Sequence, residues 1–359
     1  VSGRLQLRRG VVVGEDPLTV EVEGERRPAW ADEALLGEMR VGDEVVVNVA
    51  ALDLGLGSGG FDVVHVNLTR GLNASGDSRE HVMKLNYTSL QHPIEPVELP
   101  LCPGSDISSK GTAEGGGGSI SVLVLPLHGH LAPVAWAAAQ AAPSLKLGYV
   151  QTGGGALPAS LSRDVAELRE RGLLCGHITV APAYGGEQEA LSAAGALDAA
   201  ANSLGWDAAM VGPGPGVIGS ETRLGHGGMA ALDSAHASLA LGFPTILSPR
   251  LSASDPRDRH RGVSHHTLTV MQMLLGTVEV AVPAGEPVAT AHLAEAAGWR
   301  HRLREAPADL VGYAAAGLPV RTMGRDIEED PLFFAAPLAA GKVLGASSAG
   351  GVGSGVPGG

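Results

Sequence analysis

Between residues 119 and 285 the chain alternates short apolar runs with longer amphipathic stretches. Residues 120–127, 145–151, 177–181, 208–212, 244–248 and 278–282 have strand length and little polarity. Between them lie stretches with helical spacing, around 132–142, 158–171, 187–204, 228–241 and from Ser264 onward. In 158–171, for instance, Leu161, Val165 and Leu168 share one face, while Arg163, Glu167 and Arg171 fall elsewhere. Continuous apolar strands joined by amphipathic helices predict an α/β domain with a doubly wound, mainly parallel sheet of Rossmann-like type, covered on both faces.

The flanks follow other patterns. Residues 4–13, 18–22, 45–48 and 61–67 are β-rich and separated by turns, one of them the glycine run 53–60. This predicts a small β-rich, barrel-like N-terminal domain within residues 1–100. Residues 81–88 look like a further strand. Residues 101–118 are rich in Gly, Ser and Pro and read as a linker. After the α/β domain (119–285), two more helical stretches, 289–297 and 330–340, suggest a helical extension over 286–342. A Gly/Ser-rich tail over 343–359 is expected to be disordered.

Composition narrows the class. Of 359 residues 44% are hydrophobic and only 3% aromatic, so Ala, Val and Leu must fill the core. A net charge of −13 argues against general nucleic-acid binding. Cys102 and Cys175 make neither a CxxC nor a zinc pattern, which suits a reducing compartment. The segment VSGRLQLRRG lacks the apolar run of a signal peptide, and no stretch is apolar for the length of a bilayer. A cytoplasmic, non-membrane protein is the expectation. The Ala-rich helices offer smooth faces on which copies of the chain could pack.

In open α/β sheets ligands bind beyond the carboxyl ends of the strands. Those ends carry the unusual residues here: His128-Gly129-His130, Thr152-Gly153-Gly154-Gly155, Tyr184-Gly185-Gly186-Glu187, and Gly212-Pro213-Gly214-Pro215-Gly216 with His226 behind it. Ser248-Pro249-Arg250 leads into residues 255–266, which hold three arginines, three histidines and two aspartates. Arg257, Arg259 and Arg261 suit a phosphate or carboxylate, because guanidinium pairs with both in bidentate fashion. Gly154, Gly214 and Gly216 would let backbone N–H groups approach an anion, with Asp255 and His266 completing the binding set. His128, His260, His265 and Glu187 are the candidates for general acid/base work. The plain reading of the 255–266 segment is a solvated charged loop, with Ser264 capping the next helix.

Other chemistries fit less well. His128 and His130 could join Asp255, Glu187 or the later histidines around a metal, yet there is neither an HExxH nor a cysteine set, and no metal is assigned. Ser160, Ser162, Ser220 and Ser264 lie near the expected rim, but no GxSxG elbow follows a strand. Cys175 is expected to be buried away from the rim. The chain has no P-loop, and GPGPG follows the fourth strand rather than the first, so no cofactor is assigned.

The phrases LGLGSGGFDVVHVNL, HVMKLNYTSLQ, GPGPGVIGSETRLGHGG, DPRDRHRGVSHHTLTV and RTMGRDIEEDPLFFAAPLAAG together resemble a bacterial family of unknown function of the DUF3866 type. The resemblance covers nearly the whole chain and supplies no activity. It implies that the N-terminal β region and the α/β region work as one unit. Positions that depart from the family pattern include His130 and Asp62, which counts against a His128/His130 metal pair. Two functions remain open: an enzyme, hydrolase or transferase, acting on a small anionic metabolite, and a ligand-sensing or protein-interaction module without turnover.

Overall fold

The computed structural model describes residues 4–56, 59–72, 80–98 and 118–349. The linker reading for 101–118 falls outside them except at Gly118, as does the tail reading beyond Ala349. The chain divides into two compact units, Val1–Glu80 and His81–Gly359.

The first unit is a closed barrel of β1 (Leu7–Glu15), β2 (Leu18–Val22), β3 (Glu25–Trp30), β4 (Glu44–Asn48) and β5 (Asp62–Asn67), in the order β1-β2-β3-β5-β4. Two single-turn helices, α1 (Glu33–Leu36) and α2 (Ala50–Asp53), connect strands. Alternation sends Val12, Val20, Val22, Val45, Val47 and Val64 into the barrel core. Asp62 is buried and paired with Arg27, its Oδ2 accepting from Nε at 2.5 Å.

The second unit begins with a hairpin of β6 (Val82–Lys84) and β7 (His92–Ile94). Its main strands are β8 (Ser121–Val124), β9 (Leu147–Thr152), β10 (Gly176–Val180), β11 (Gln188–Ala190), β12 (Ala208–Pro213) and β13 (Thr245–Leu247). After the short pair β14 (Leu251–Ser252) and β15 (Gly262–Val263) come β16 (Glu279–Pro283) and β17 (Arg302–Ala306), then the small ladder β18 (Arg321–Thr322) with β19 (Arg325–Asp326). The helices are α3 (Leu131–Ala141), α4 (Arg163–Glu170), α5 (Ala193–Asn202), α6 (Ala230–Ala240), α7 (His265–Met273), α8 (Pro287–Ala297), α9 (Leu310–Ala315) and α10 (Pro331–Ala349).

Eight strands form one parallel sheet in the order β11-β10-β9-β12-β8-β13-β16-β17. Successive residues of β8 serve opposite faces: Val122 and Val124 enter one core and Leu123 the other. The first core also takes residues of α5, α6, α7 and α8, and the second takes residues of α3, α4, α9 and α10. The sheet is therefore covered on both sides, as the continuous apolar strands predict.

Two strands of this eight-stranded sheet were not legible as strands. Residues 187–204 are not one helix: Gln188–Ala190 pair with β10, and α5 starts after its cap, Ser192, whose side chain accepts from Gly195 N. The Glu189 carboxylate holds this edge, accepting from Gly185 N and Thr179 Oγ1 at 2.6 Å each and pairing with the buried Lys84 ammonium. The region after residue 285 is not purely helical, because Arg302–Ala306 extend the sheet beside β16. Helix α10 also runs beyond the expected end, to Ala349.

The connections define where a site can form. From β8 the chain moves two places to β9, continues outward to β11, and returns as β12 into the gap beside β8. It then crosses to the other side of β8 as β13. This reversal puts a crevice at the carboxyl ends of β12, β8 and β13.

Candidate functional site

A cavity of about 790 Å³ occupies that crevice, a size suited to a small molecule. Its walls come from the turn after β8 (His128, Gly129), the loop after β12 (Pro215–Thr222, then His226), the segment after β13 (Arg250 to His266) and the β18–β19 region (Arg321–Arg325). Asp164 at the start of α4 and Phe334 of α10 complete it.

The basic wall is organised by one carboxylate. Asp255 is fully buried and accepts at Oδ1 from Arg257 N (3.0 Å) and Nε (2.9 Å). Its Oδ2 accepts from Arg257 (2.9 Å), Arg250 (3.3 Å) and Arg325 (3.4 Å). Burial alone would raise the Asp255 pKa, but the Arg257 hydrogen bonds and the arginine charges outweigh it and hold the carboxyl far below its ordinary range. Arg250, itself buried, is pushed down to about 10 by desolvation and by Arg257, and stays charged at neutral pH. The RTMGRDIEEDP stretch supports the same wall. Buried Asp330 accepts from Ser252 Oγ (2.5 Å), Ala253 N (2.9 Å) and Arg325 Nε (3.1 Å), which ties β19 to the loop after β14. Arg259 pairs with Glu221 across the cavity mouth at 3.1 Å, and Arg321 gives one N–H to Gly324 O. Five arginines thus line the cavity against two acids, Asp164 and Glu221.

Four histidines share the inner end. Ser264 caps α7, accepting from His266 N at 3.2 Å, as the capping reading predicts, and its hydroxyl also hydrogen-bonds His260 Nδ1 at 2.7 Å. His226 and His266 stack with centroids 3.6 Å apart and planes 5° from parallel, and His265 stands edge-on to both. All four are shifted toward the neutral form, first by burial; Arg250 comes next at His260, His226 comes next at His265 and His266, and at His226 itself the Arg223 carbonyl opposes the shift; His260 falls to about 3 and His266 to about 2. His226 Nδ1, His265 Nε2 and His266 Nδ1 are buried without a hydrogen-bond partner. One nitrogen from each lies within 4.8 Å of the others, and these three are the metal-ligand grouping found among the described residues.

In the turn after β8 His128 hydrogen-bonds Ser162 Oγ through Nε2 at 2.9 Å, and Asp164 Oδ2 lies 3.8 Å from the same nitrogen. Burial pushes His128 down to about 4, with the backbone of Pro213 opposing, and burial beside Glu167 raises the Asp164 carboxyl. This is not a nucleophile triad, since serine and aspartate meet the same ring nitrogen and Ser162 Oγ already accepts from Val165 N as the cap of α4. His128 and Asp164 both line the cavity.

Of the residues expected from sequence, His128, His260, His265, His266, Gly216, Arg257 and Arg259 line the cavity. Asp255 lies behind the wall as its anchor. Arg261 turns outward, pairing with Asp258 at 3.2 Å and giving an N–H to Asp255 O. Glu187 is exposed on Arg169, away from the cavity. Gly154 and Gly214 serve loop packing instead: a side chain at Gly154 would strike Gly227 O, and one at Gly214 would strike Ala156 O. His130 points to Ser248 Oγ (2.9 Å) behind the turn and does not pair with His128 on an ion. Cys175 is exposed rather than buried. Sequence reasoning gave no site role to His226, Arg250, Asp164, Arg321 or Arg325. His226 and Arg250 were visible at strand ends. Arg321 and Arg325, in the RTMGR stretch, lie after the sheet and carried no positional signal.

Fold and cavity together define a mixed α/β protein with a basic, histidine-bearing pocket at the edge of a parallel sheet. The chain belongs to the family described as Protein of unknown function (DUF3866), whose profile matches residues 28–341. No curated protein and no solved structure matches the chain. Among the described residues no helix is long and apolar enough to cross a membrane.

Proposed function

We propose that the cavity is the active site of a hydrolase or transferase acting on a small anionic metabolite. The carrying observation is the convergence of Arg250, Arg257, Arg259, Arg321 and Arg325 with neutral imidazoles on one cavity. Asp255 holds three of the guanidiniums in place, so little rotamer freedom is lost when an anion docks. The strand order reads as a Rossmann-like variant, in which the crevice beside the switch in direction is the usual ligand seat. His128 with Asp164 would move protons on the substrate. Two cysteines and an acidic composition fit a cytoplasmic setting.

A thermal-shift panel of phosphorylated and carboxylated metabolites tests the reading. A ligand present at about 100 times its Kd should add about 2.7 kcal/mol of stability. Arg321→Ala and Arg259→Ala should each weaken that ligand about 10-fold or more, as expected for a charge-assisted contact. No stabilisation by any anion would sink the proposal. Stabilisation without turnover of the bound compound would instead favour a ligand-sensing module.

A further inference from the structure

We propose that His226, His265 and His266 form a binding site for one divalent transition-metal ion of the zinc class, at the inner end of the cavity. The argument starts at His226. Its Nε2 lies 3.0 Å from the Arg223 carbonyl, which can only accept, so Nε2 carries the hydrogen and Nδ1 keeps its lone pair. That lone pair is buried with no donor to meet it. A histidine that gives one ring N–H to a carbonyl and turns the other nitrogen inward is the arrangement of a metal ligand with its supporting contact. His265 Nε2 and His266 Nδ1 are left equally without a partner, and one nitrogen from each ring falls within 4.8 Å of the rest. A cation with vacant coordination positions satisfies all three at once. Three imidazole donors select zinc, cobalt, nickel or copper over magnesium or calcium, which require oxygen ligands. A three-residue set also leaves a coordination position open for water or substrate, and the cavity lies beside it.

Loading requires a small rearrangement. A ring lone pair lies in the ring plane, so the parallel rings of His226 and His266 cannot both aim at one point while stacked. One of them must turn about its Cβ–Cγ bond. Nitrogens about 2.0–2.1 Å from a tetrahedral ion stand about 3.3 Å apart, and the three here lie within 4.8 Å of one another. Gly228 leaves space for this: a methyl group there would stand 3.0 Å from both His226 Nδ1 and His266 Nδ1. The inference stands on these nitrogens and holds whether or not the arginine wall takes an anion.

The test uses the untagged full chain, stripped with a chelator and dialysed against Zn²⁺ or Co²⁺ in phosphate-free buffer. We expect close to one equivalent of metal per chain by elemental analysis, and visible Co²⁺ bands of low-coordinate intensity. His226→Gln, His265→Gln and His266→Gln should each lower affinity by about 100-fold or more, and Gly228→Ala by about 10-fold or more. His292→Gln, at an exposed position, should leave binding unchanged. Circular dichroism establishes which variants are folded. Should a histidine variant fail to fold, paramagnetic shifts of the three imidazoles in Co²⁺-loaded wild type give the same answer. Substoichiometric binding by folded wild type, equal binding by the folded variants, or Co²⁺ shifts on other histidines would overturn the proposal.

Discussion

At the scale of single residues the site turns on Asp255. One buried carboxylate receives three arginines, and a second, Asp330, receives Arg325. Removing one member of a buried charge network leaves the others uncompensated, at about 3–5 kcal/mol. Asp255→Asn should therefore destabilise the protein by that order at neutral pH, measured by urea denaturation. The pH dependence has a definite sign. The folded carboxyl titrates below its unfolded value, so its stabilisation is complete above about pH 4 and declines as pH falls from there. The gap between wild type and Asp255→Asn should stay constant from pH 7 to 5 and shrink below 4. A gap that widens in acid would refute the role given to Asp255. Sequence showed the arginines of 255–266 but not their division of labour. Arg257 and Arg259 face the cavity while Arg261 does not, and that depends on the single turn Asp258–His260. His226 illustrates the other limit: it lies 39 residues before His265, a separation that no local ligand spacing covers.

At the scale of elements, α3 and α10 pack closely enough to need glycine. A side chain at Gly341 would meet the Val134 carbonyl and the Ala137 Cβ, and one at Gly345 would meet the Ala141 Cβ and the Ala138 carbonyl. This contact matters to the site because α3 follows His128 and α10 carries Phe334, which both line the cavity. Overpacking of this kind costs about 1–3 kcal/mol, and more where the obstacle is backbone. Gly341→Val should lower stability by at least about 3 kcal/mol, whereas Ser348→Ala at the far end of α10 should change it little; calorimetry on both variants checks the contrast. The central strands were legible because burial on both faces demands an unbroken apolar run, and β8, β9, β10 and β12 are buried throughout. The edge strands β11 and β17 were not. An edge strand has a solvent-facing side, so Gln188-Glu189-Ala190 and Arg302-Leu303-Arg304-Glu305-Ala306 carry polar residues and no continuous apolar signal. The ends of the strands were thus readable in the part of the sheet that builds the cavity.

For the molecule as a whole, the basic cavity stands out against a chain of net charge −13. The topology gathers cationic groups where α7 begins, and a divalent ion beside Arg250 and Arg259 would add to them. The partial positive charge at a helix N-terminus acts in the same direction. Without an anion, the metal and the arginine wall repel one another. With an anion between them, each stabilises the other through the shared ligand. Metal and anion should therefore bind cooperatively, and linkage requires the factor to be the same in both directions. Sulfate is a suitable probe because it complexes these ions weakly in solution. Saturating sulfate should raise Zn²⁺ affinity by about 5-fold or more, and saturating Zn²⁺ should raise sulfate affinity equally. Isothermal titration in each order measures both factors. Arg259→Ala, which removes one charge from the wall, should strengthen metal binding in the absence of sulfate and reduce the coupling. Equal Zn²⁺ affinity with and without sulfate, in a protein that binds both, would mean that the two groups do not share a ligand, and the single-site account would give way to two separate sites.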